Sequence, residues 1–145
     1  MDADPNTGIQ DIAIFKDIQP DDIIQGQLGD CWLLCAMSAM AERPALIERI
    51  FDTKEYNEGG VYVIKFCKNG EWQSVTIDDY FPCFPNGGPM FSRGNGNELW
   101  VLLIEKAYAK VHGGYKAISG GLPYEGLMDL TGCPTISYNF KDQIV

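Results

Sequence analysis

The chain has 145 residues, of which 46% are hydrophobic and 21% charged, enough apolar material for one compact domain and too much for a disordered chain. Twenty acidic against eleven basic residues leave a net charge of −9, which argues against a nucleic-acid binder, since that needs a basic stripe to follow phosphates. The first residues show no basic segment followed by an apolar run, so no secretory leader is expected, and no stretch approaches the roughly 18 apolar residues of a membrane span. The five cysteines (Cys31, Cys35, Cys67, Cys83, Cys133) are odd in number and lack repeated CxxC spacing. A disulfide scaffold or zinc site would be patterned otherwise, so a reducing, cytoplasmic compartment is expected.

Residues 1–20 are polar, carry Pro5 and Pro20, and read as an extended approach segment. Gln25-Gly26-Gln27-Leu28-Gly29-Asp30 follows, with two glycines that favour a tight turn. A helix is predicted from Cys31 to about Glu42, with Asp30 as its N-cap; Trp32, Leu33, Leu34, Ala36, Met37, Ala39 and Met40 make it apolar over most of its circumference and therefore buried. Pro44 interrupts, and a short helical stretch runs from Ala45 to Phe51. Val61–Cys67 and Glu71–Ile77 are rich in β-branched and aromatic residues and flank Asn69-Gly70, the strongest short hairpin signal. Residues 82–97, rich in Pro, Gly and Asn, read as a long loop. An amphipathic helix is expected from Glu98 to Val111, stopped by His112-Gly113-Gly114; a glycine pair at Gly120-Gly121 then precedes a short apolar stretch, Tyr124 to Leu130.

Cys31 at a predicted helix start is the chemically suggestive residue. Unpaired amides and the helix dipole favour negative charge there, as a nucleophilic thiolate requires. Gln25, across the glycine turn, carries an amide that can donate to an oxyanion, as can the Cys31 main-chain N–H. Gly26 and Gly29 let the backbone come close to a substrate.

The run Gln25-Gly26-Gln27-Leu28-Gly29-Asp30-Cys31-Trp32-Leu33-Leu34 resembles the nucleophile motif of the calpain family of cysteine proteases. Asn97-Glu98-Leu99-Trp100-Val101-Leu102-Leu103-Ile104-Glu105-Lys106-Ala107-Tyr108-Ala109-Lys110 resembles that family's long helix, followed in family order by Gly113-Gly114-Tyr115 and Ser119-Gly120-Gly121. The resemblance runs from about Asp22 to Gly132. It implies an α+β, papain-like cysteine protease lobe, mainly helical with a β-hairpin, whose nucleophile sits at the N-terminus of a central buried helix. By that resemblance Cys31 is the nucleophile, Gln25 an oxyanion donor, Trp32 a neighbour of the thiol, and Gly121 a backbone lining the substrate cleft. An extended peptide would bind there through its main chain. Family lobes of this kind carry calcium, and the matching carboxylates are Asp22 and Glu98, with carbonyls near Phe15 and Asp17.

The resemblance also implies what has to be added. Thiol proteases need a general base and a group that orients it. The one histidine, His112, follows Cys31 more closely than the roughly 130–150 residues of papain-type chains, and reads instead as a cation at a helix C-terminus. In calpains a second, β-rich lobe brings the His and Asn. The expected organisation is therefore an approach segment over 1–20, a protease lobe over 21–133, and a tail over 134–145 of a truncated catalytic domain. Its partners are protein substrates and a second lobe, and it alone is expected to be nearly inactive. The alternatives are a calpain-like binding or regulatory module without chemistry, and a transglutaminase-type enzyme, which gains nothing from the missing residues.

Overall fold

The computed structural model describes residues 12–94 and 96–139. Pro5, most of the expected approach segment and the end of the expected tail lie outside the described residues. Among the described residues the chain forms four helices, α1 (Cys31–Ala41), α2 (Pro44–Arg49), α3 (Trp100–Val111) and α4 (Pro123–Thr131), and two strands, β1 (Val61–Lys68) and β2 (Glu71–Asp78). Short 3-10 turns lie at Pro20–Asp22 and Tyr115–Ile118. The architecture is a mixed α+β lobe with one two-stranded antiparallel sheet, and no helix is long and apolar enough to cross a membrane.

The hairpin follows directly from its turn. Lys68 pairs with Glu71, leaving Asn69 and Gly70 as a two-residue loop with φ of 53° and 81°. Positive φ at both positions matches the right-handed twist of the strands, and Asn and Gly are the residues that tolerate it. Alternation then sends Tyr62, Ile64 and Phe66 of β1 inward, all fully buried, while the first half of β2 faces solvent.

Helices α1, α3 and α4 pack with that inner strand face around one core. Tyr108 of α3 stands at its centre, with edge-on rings of Trp32 at 5.7 Å and Phe66 at 5.4 Å. Its hydroxyl donates to Asp129 on α4 at 2.6 Å, and that buried carboxylate also takes the Lys68 ammonium at 2.6 Å. Burial and the Asp129 carboxylate push the Tyr108 phenol far above its usual range. Helix α4 comes close to α1 because it is thin where they meet: a Cβ at Gly126 would lie 3.1 Å from the Ala36 methyl.

The expected helices differ in detail. Helix α1 is buried over most of its circumference, but Ala39 joins Cys31 and Cys35 on an exposed stripe, since a spacing of four keeps them on one face. Helix α3 begins at Trp100 and not at Glu98, because Glu98 is occupied with another segment. It is amphipathic, with a narrow polar side. Trp100–Glu105 and Ala107–Ala109 are buried, and its polar side is narrowed to Lys106 and Lys110. Lys106 bonds the Asp78 carboxylate and carbonyl, and Lys110 reaches the Thr76 carbonyl at 2.6 Å, so α3 leans on β2. That ion pair holds the Asp78 carboxyl below its ordinary range.

A side chain added at Gly70 would meet no atom within 4 Å of its Cβ, so only the backbone angle opposes substitution. Gly70→Val is expected to lower stability by about 1–2 kcal/mol, read as a shifted urea midpoint with an unchanged slope.

Candidate active site

The segment before α1 is clamped on two sides by main-chain bonds. Ile24 and Arg93 exchange N–H···O bonds of 2.9 and 3.0 Å, and the Gln27 amide donates to Met90 O at 3.1 Å. Between them Gly26 touches the backbone of Phe91: a Cβ there would sit 2.1 Å from the carbonyl oxygen. Downstream, the Gly120 amide donates to Gly29 O at 2.8 Å. Residues 90–93 are thus one of the two walls that shape the turn.

Cys31 opens α1 and its thiol-bearing side chain is exposed. The Asp30 carbonyl accepts the Leu33 and Leu34 amides at 2.9 and 3.1 Å, while the Cys31 and Trp32 amides bond to no carbonyl among the described residues. Such free first-turn donors, with the helix dipole behind them, favour an anion in front of Cys31. Gln25 is exposed, and one of its amide hydrogens is used on Leu28 O at 3.1 Å, which folds the side chain back over its own turn and leaves a second N–H. Asp30 holds the N-cap position but its side chain makes no cap bond; the carboxyl is turned inward and fully buried. That corrects the expected cap.

Trp32 and Gly121 belong together. The indole donates to Ile118 O at 2.9 Å, and a Cβ on Gly121 would lie 2.4 Å from the ring. Trp32 therefore holds the 118–121 segment beside the start of α1, and Gly121 is the residue that lets the chain pass over the ring face.

His112 is placed elsewhere. It terminates α3, with Nδ1 2.9 Å from Tyr108 O and Nε2 3.2 Å from the Lys68 ammonium. The ring stands at the C-terminal end of α3, where the sequence places it. Both nitrogens are spent, leaving none for Cys31. The ring faces a cavity of about 590 Å³ whose walls include Trp32, Gly121, Lys68 and Asp129 but not Cys31.

Residues 5–144 match the family described as calpain family cysteine protease. The chain belongs to the calpain family. Among its relatives, the calpain-type cysteine protease DEK1 of Arabidopsis thaliana is 50% identical over 117 residues, covering 80% of this chain and 5% of that protein. The calpain-type cysteine protease ADL1 of Oryza sativa subsp. japonica is 48% identical over 116 residues, with 79% and 5% covered. Calpain-A of Drosophila melanogaster is 39% identical over 125 residues, with 83% and 15% covered. The chain thus spans a small part of the curated relatives it matches, and the resemblance drawn from the Gln25–Leu34 and Asn97–Lys110 runs is upheld.

In this calpain-family chain Asp22 and Glu98 are both buried, each serving the backbone. Asp22 accepts the Gln19 amide at 2.7 Å. Glu98 accepts the Lys16 and Asp17 amides at 3.0 and 2.9 Å on one oxygen and the Trp100 indole at 3.0 Å on the other. Among the described residues no group of three or more His, Cys, Asp or Glu side chains is close enough to hold a metal. Asp22 and Glu98 each keep oxygen lone pairs of the kind a hard cation takes, and the main chain at Lys16 and Asp17 is tied to Glu98.

Sequence reasoning passed over the Ile118 carbonyl, which has no side-chain signature, and Glu105, which looks like one more acid on a charged helix. A buried acid inside an otherwise apolar run, Trp100 to Ile104, was the available signal. Gly26→Ala puts a methyl into Phe91 backbone that no rotamer change relieves. It is expected to cost about 1–3 kcal/mol in thermal denaturation and to change the alkylation rate of Cys31 while leaving that of exposed Cys133 alone.

Proposed function

We propose that this chain is the nucleophile-bearing lobe of a calpain-type cysteine endopeptidase that acts on protein substrates within the cytoplasm. The observation that supports the reading is an exposed thiol at the start of α1, preceded in the chain by a Gln25 turn whose main chain is bonded to residues 90 and 93. Cys31 supplies the thiolate that attacks a peptide carbonyl. The resulting oxyanion is met by the free Cys31 amide and by the Gln25 amide, swung from Leu28 O or using its second hydrogen. Trp32 and Gly121 form the adjoining wall, along which an extended peptide bonds through its main chain.

A general base and its orienting partner come from a second lobe that supplies His and Asn, because His112 is engaged by Tyr108 and Lys68. That same engagement is the observation favouring the second reading, a calpain-like module that binds partners without chemistry. Labelling separates the two. An epoxide-type thiol reagent is expected to modify Cys31 ahead of Cys35, Cys83 and Cys133, which are also exposed, because the helix start activates it and mere exposure does not. Peptide mapping checks this, and uniform labelling of the exposed thiols would sink the enzymatic reading. Purified 1–145 is expected to leave casein uncut on its own, and sustained hydrolysis abolished by Cys31→Ala would bring His112 back as the base.

Calcium belongs to the same proposal. Asp22 and Glu98, with main-chain carbonyls over 15–17, would hold it, and the ion would supply a local positive charge beside the segment that leads into Gln25. Isothermal titration is expected to show calcium binding that Asp22→Ala removes; unchanged affinity in the variant would discard the site.

A further inference from the structure

Two buried carboxyl groups meet directly behind the Cys31 end of α1. Asp30 is 0% exposed and Glu105, from the middle of α3, is 2% exposed. Glu105 accepts the Ser92 amide, shared between its two oxygens at 3.2 Å each. Neither carboxyl oxygen of Asp30 meets an N–H or O–H donor of another described residue. The two side chains face one another. Two ionised carboxylates offer only lone pairs, so this contact becomes a hydrogen bond only when a proton lies between them.

The surroundings offer no substitute for that proton. Among the described residues no ammonium or guanidinium acts on either group. Lys106, next to Glu105 on α3, turns to Asp78 and the Tyr80 carbonyl, while Arg93 and Lys116 are exposed. From the 3-10 turn the Tyr115 phenol faces Glu105, and burial first, then the Glu105 and Asp78 charges, keep it protonated. On α1 the adjoining titratable group is Cys31. The crevice lined by Phe81, Phe91, Glu105 and Tyr115 measures about 10 Å³, too small for a hydrated cation.

We propose that Asp30 and Glu105 share one buried proton, and that this proton is the positioning element that fixes the main chain immediately before Cys31. The Asp30 backbone begins α1 through its bonds from Leu33 and Leu34, and its side chain is tied to α3 only through that proton. Losing it places two negative charges in one dry volume and drives the helix start away from α3. The consequence for a reactive thiol rests on the proposed function, whereas the shared proton itself does not.

Burial, reinforced by the Asp30 contact, pushes Glu105 up to about 8, and burial raises Asp30 as well. Both groups titrate at about 4 in the unfolded chain. The folded state therefore holds more protons in between. The stability they contribute is complete below about pH 4 and is lost as pH rises toward and through about 8.

Thermal denaturation of the full chain and of Glu105→Gln, which brings its own N–H donor to Asp30, tests this. Between about pH 5.5 and 8.5 the wild type is expected to lose about 5 °C more in Tm than the variant; parallel curves would overturn the shared proton. The positioning role is read separately from the Leu33 and Leu34 amide resonances in a Cys31→Ala background, which removes the thiol's own titration. They are expected to shift with pH near 8 with Glu105 present and to stay put with Glu105→Gln; flat resonances in both would overturn it. Should Glu105→Gln not fold, the wild-type infrared spectrum decides. A protonated carboxyl band at neutral pH that disappears in alkali supports the pair, and carboxylate bands alone refute it. None of these readouts requires a peptide to be cleaved, so they stand or fall apart from the protease reading.

Discussion

Gly26 and Phe91 touch backbone to backbone, at a distance that leaves no room for a single methyl group. The geometry before α1 depends on that approach. Side chains can adjust to one another, but two main chains in contact cannot, so the Gln25 turn inherits its position from residues 90–93. The bonds Ile24–Arg93 and Gln27–Met90 fasten it at either side, and Gly29–Gly120 fastens the other end. A loop pinned at both ends can hold an amide donor steady without forming a regular element. Residues 90–93, inside a loop whose length already argued against idle padding, are in this sense part of the frame of that turn.

Three buried acids around α3 show three ways of tolerating a carboxyl group away from water. Glu98 is met by two loop amides and an indole, so it fastens residues 16–17 to the helix start. Asp129 is met by an ammonium and a phenol, which joins α4, β1 and α3 at the core's polar corner. Glu105 has one amide and another acid. The first two are ordinary electrostatic satisfaction. The third is the pair for which a shared proton is proposed, and its partner Asp30 directly precedes Cys31.

Much of this was legible in the residues, and the illegible parts share a cause. The Asn69-Gly70 turn and its flanking strands are local, so propensity and turn chemistry suffice. The start of α1 at Cys31 was legible from the glycine turn before it. The start of α3 was not, because Glu98 is recruited by amides 81 and 82 residues away in sequence. Asp30 has the right type and position for a cap, yet its carboxyl is drawn to Glu105, a preference only the packed helices can express. Spacing sets His112 apart from Cys31, but its contact with Lys68 depends on the hairpin arriving beside the end of α3. Gln25, Trp32, Gly121 and Cys31 all come from one motif or its expected neighbours; Gly121 lies against the Trp32 ring, while the Gln25 amide bonds within its own turn to Leu28 O.

The two lysines of α3 have a consequence for the sheet. A two-stranded sheet has two open edges, and such edges invite strands from other molecules to pair with them. The far side of β1 is covered by the segment after α2, through Asp52 and Lys65 bonding across to Val63 and Ile50. On β2, the outward carbonyls of Thr76 and Asp78 are already taken by Lys110 and Lys106. An incoming strand would have to displace two ammonium groups before it could form its first rungs. The polar side of an otherwise buried helix thereby serves as a guard against templated self-association, which a short hairpin with four exposed residues in a row could not provide for itself.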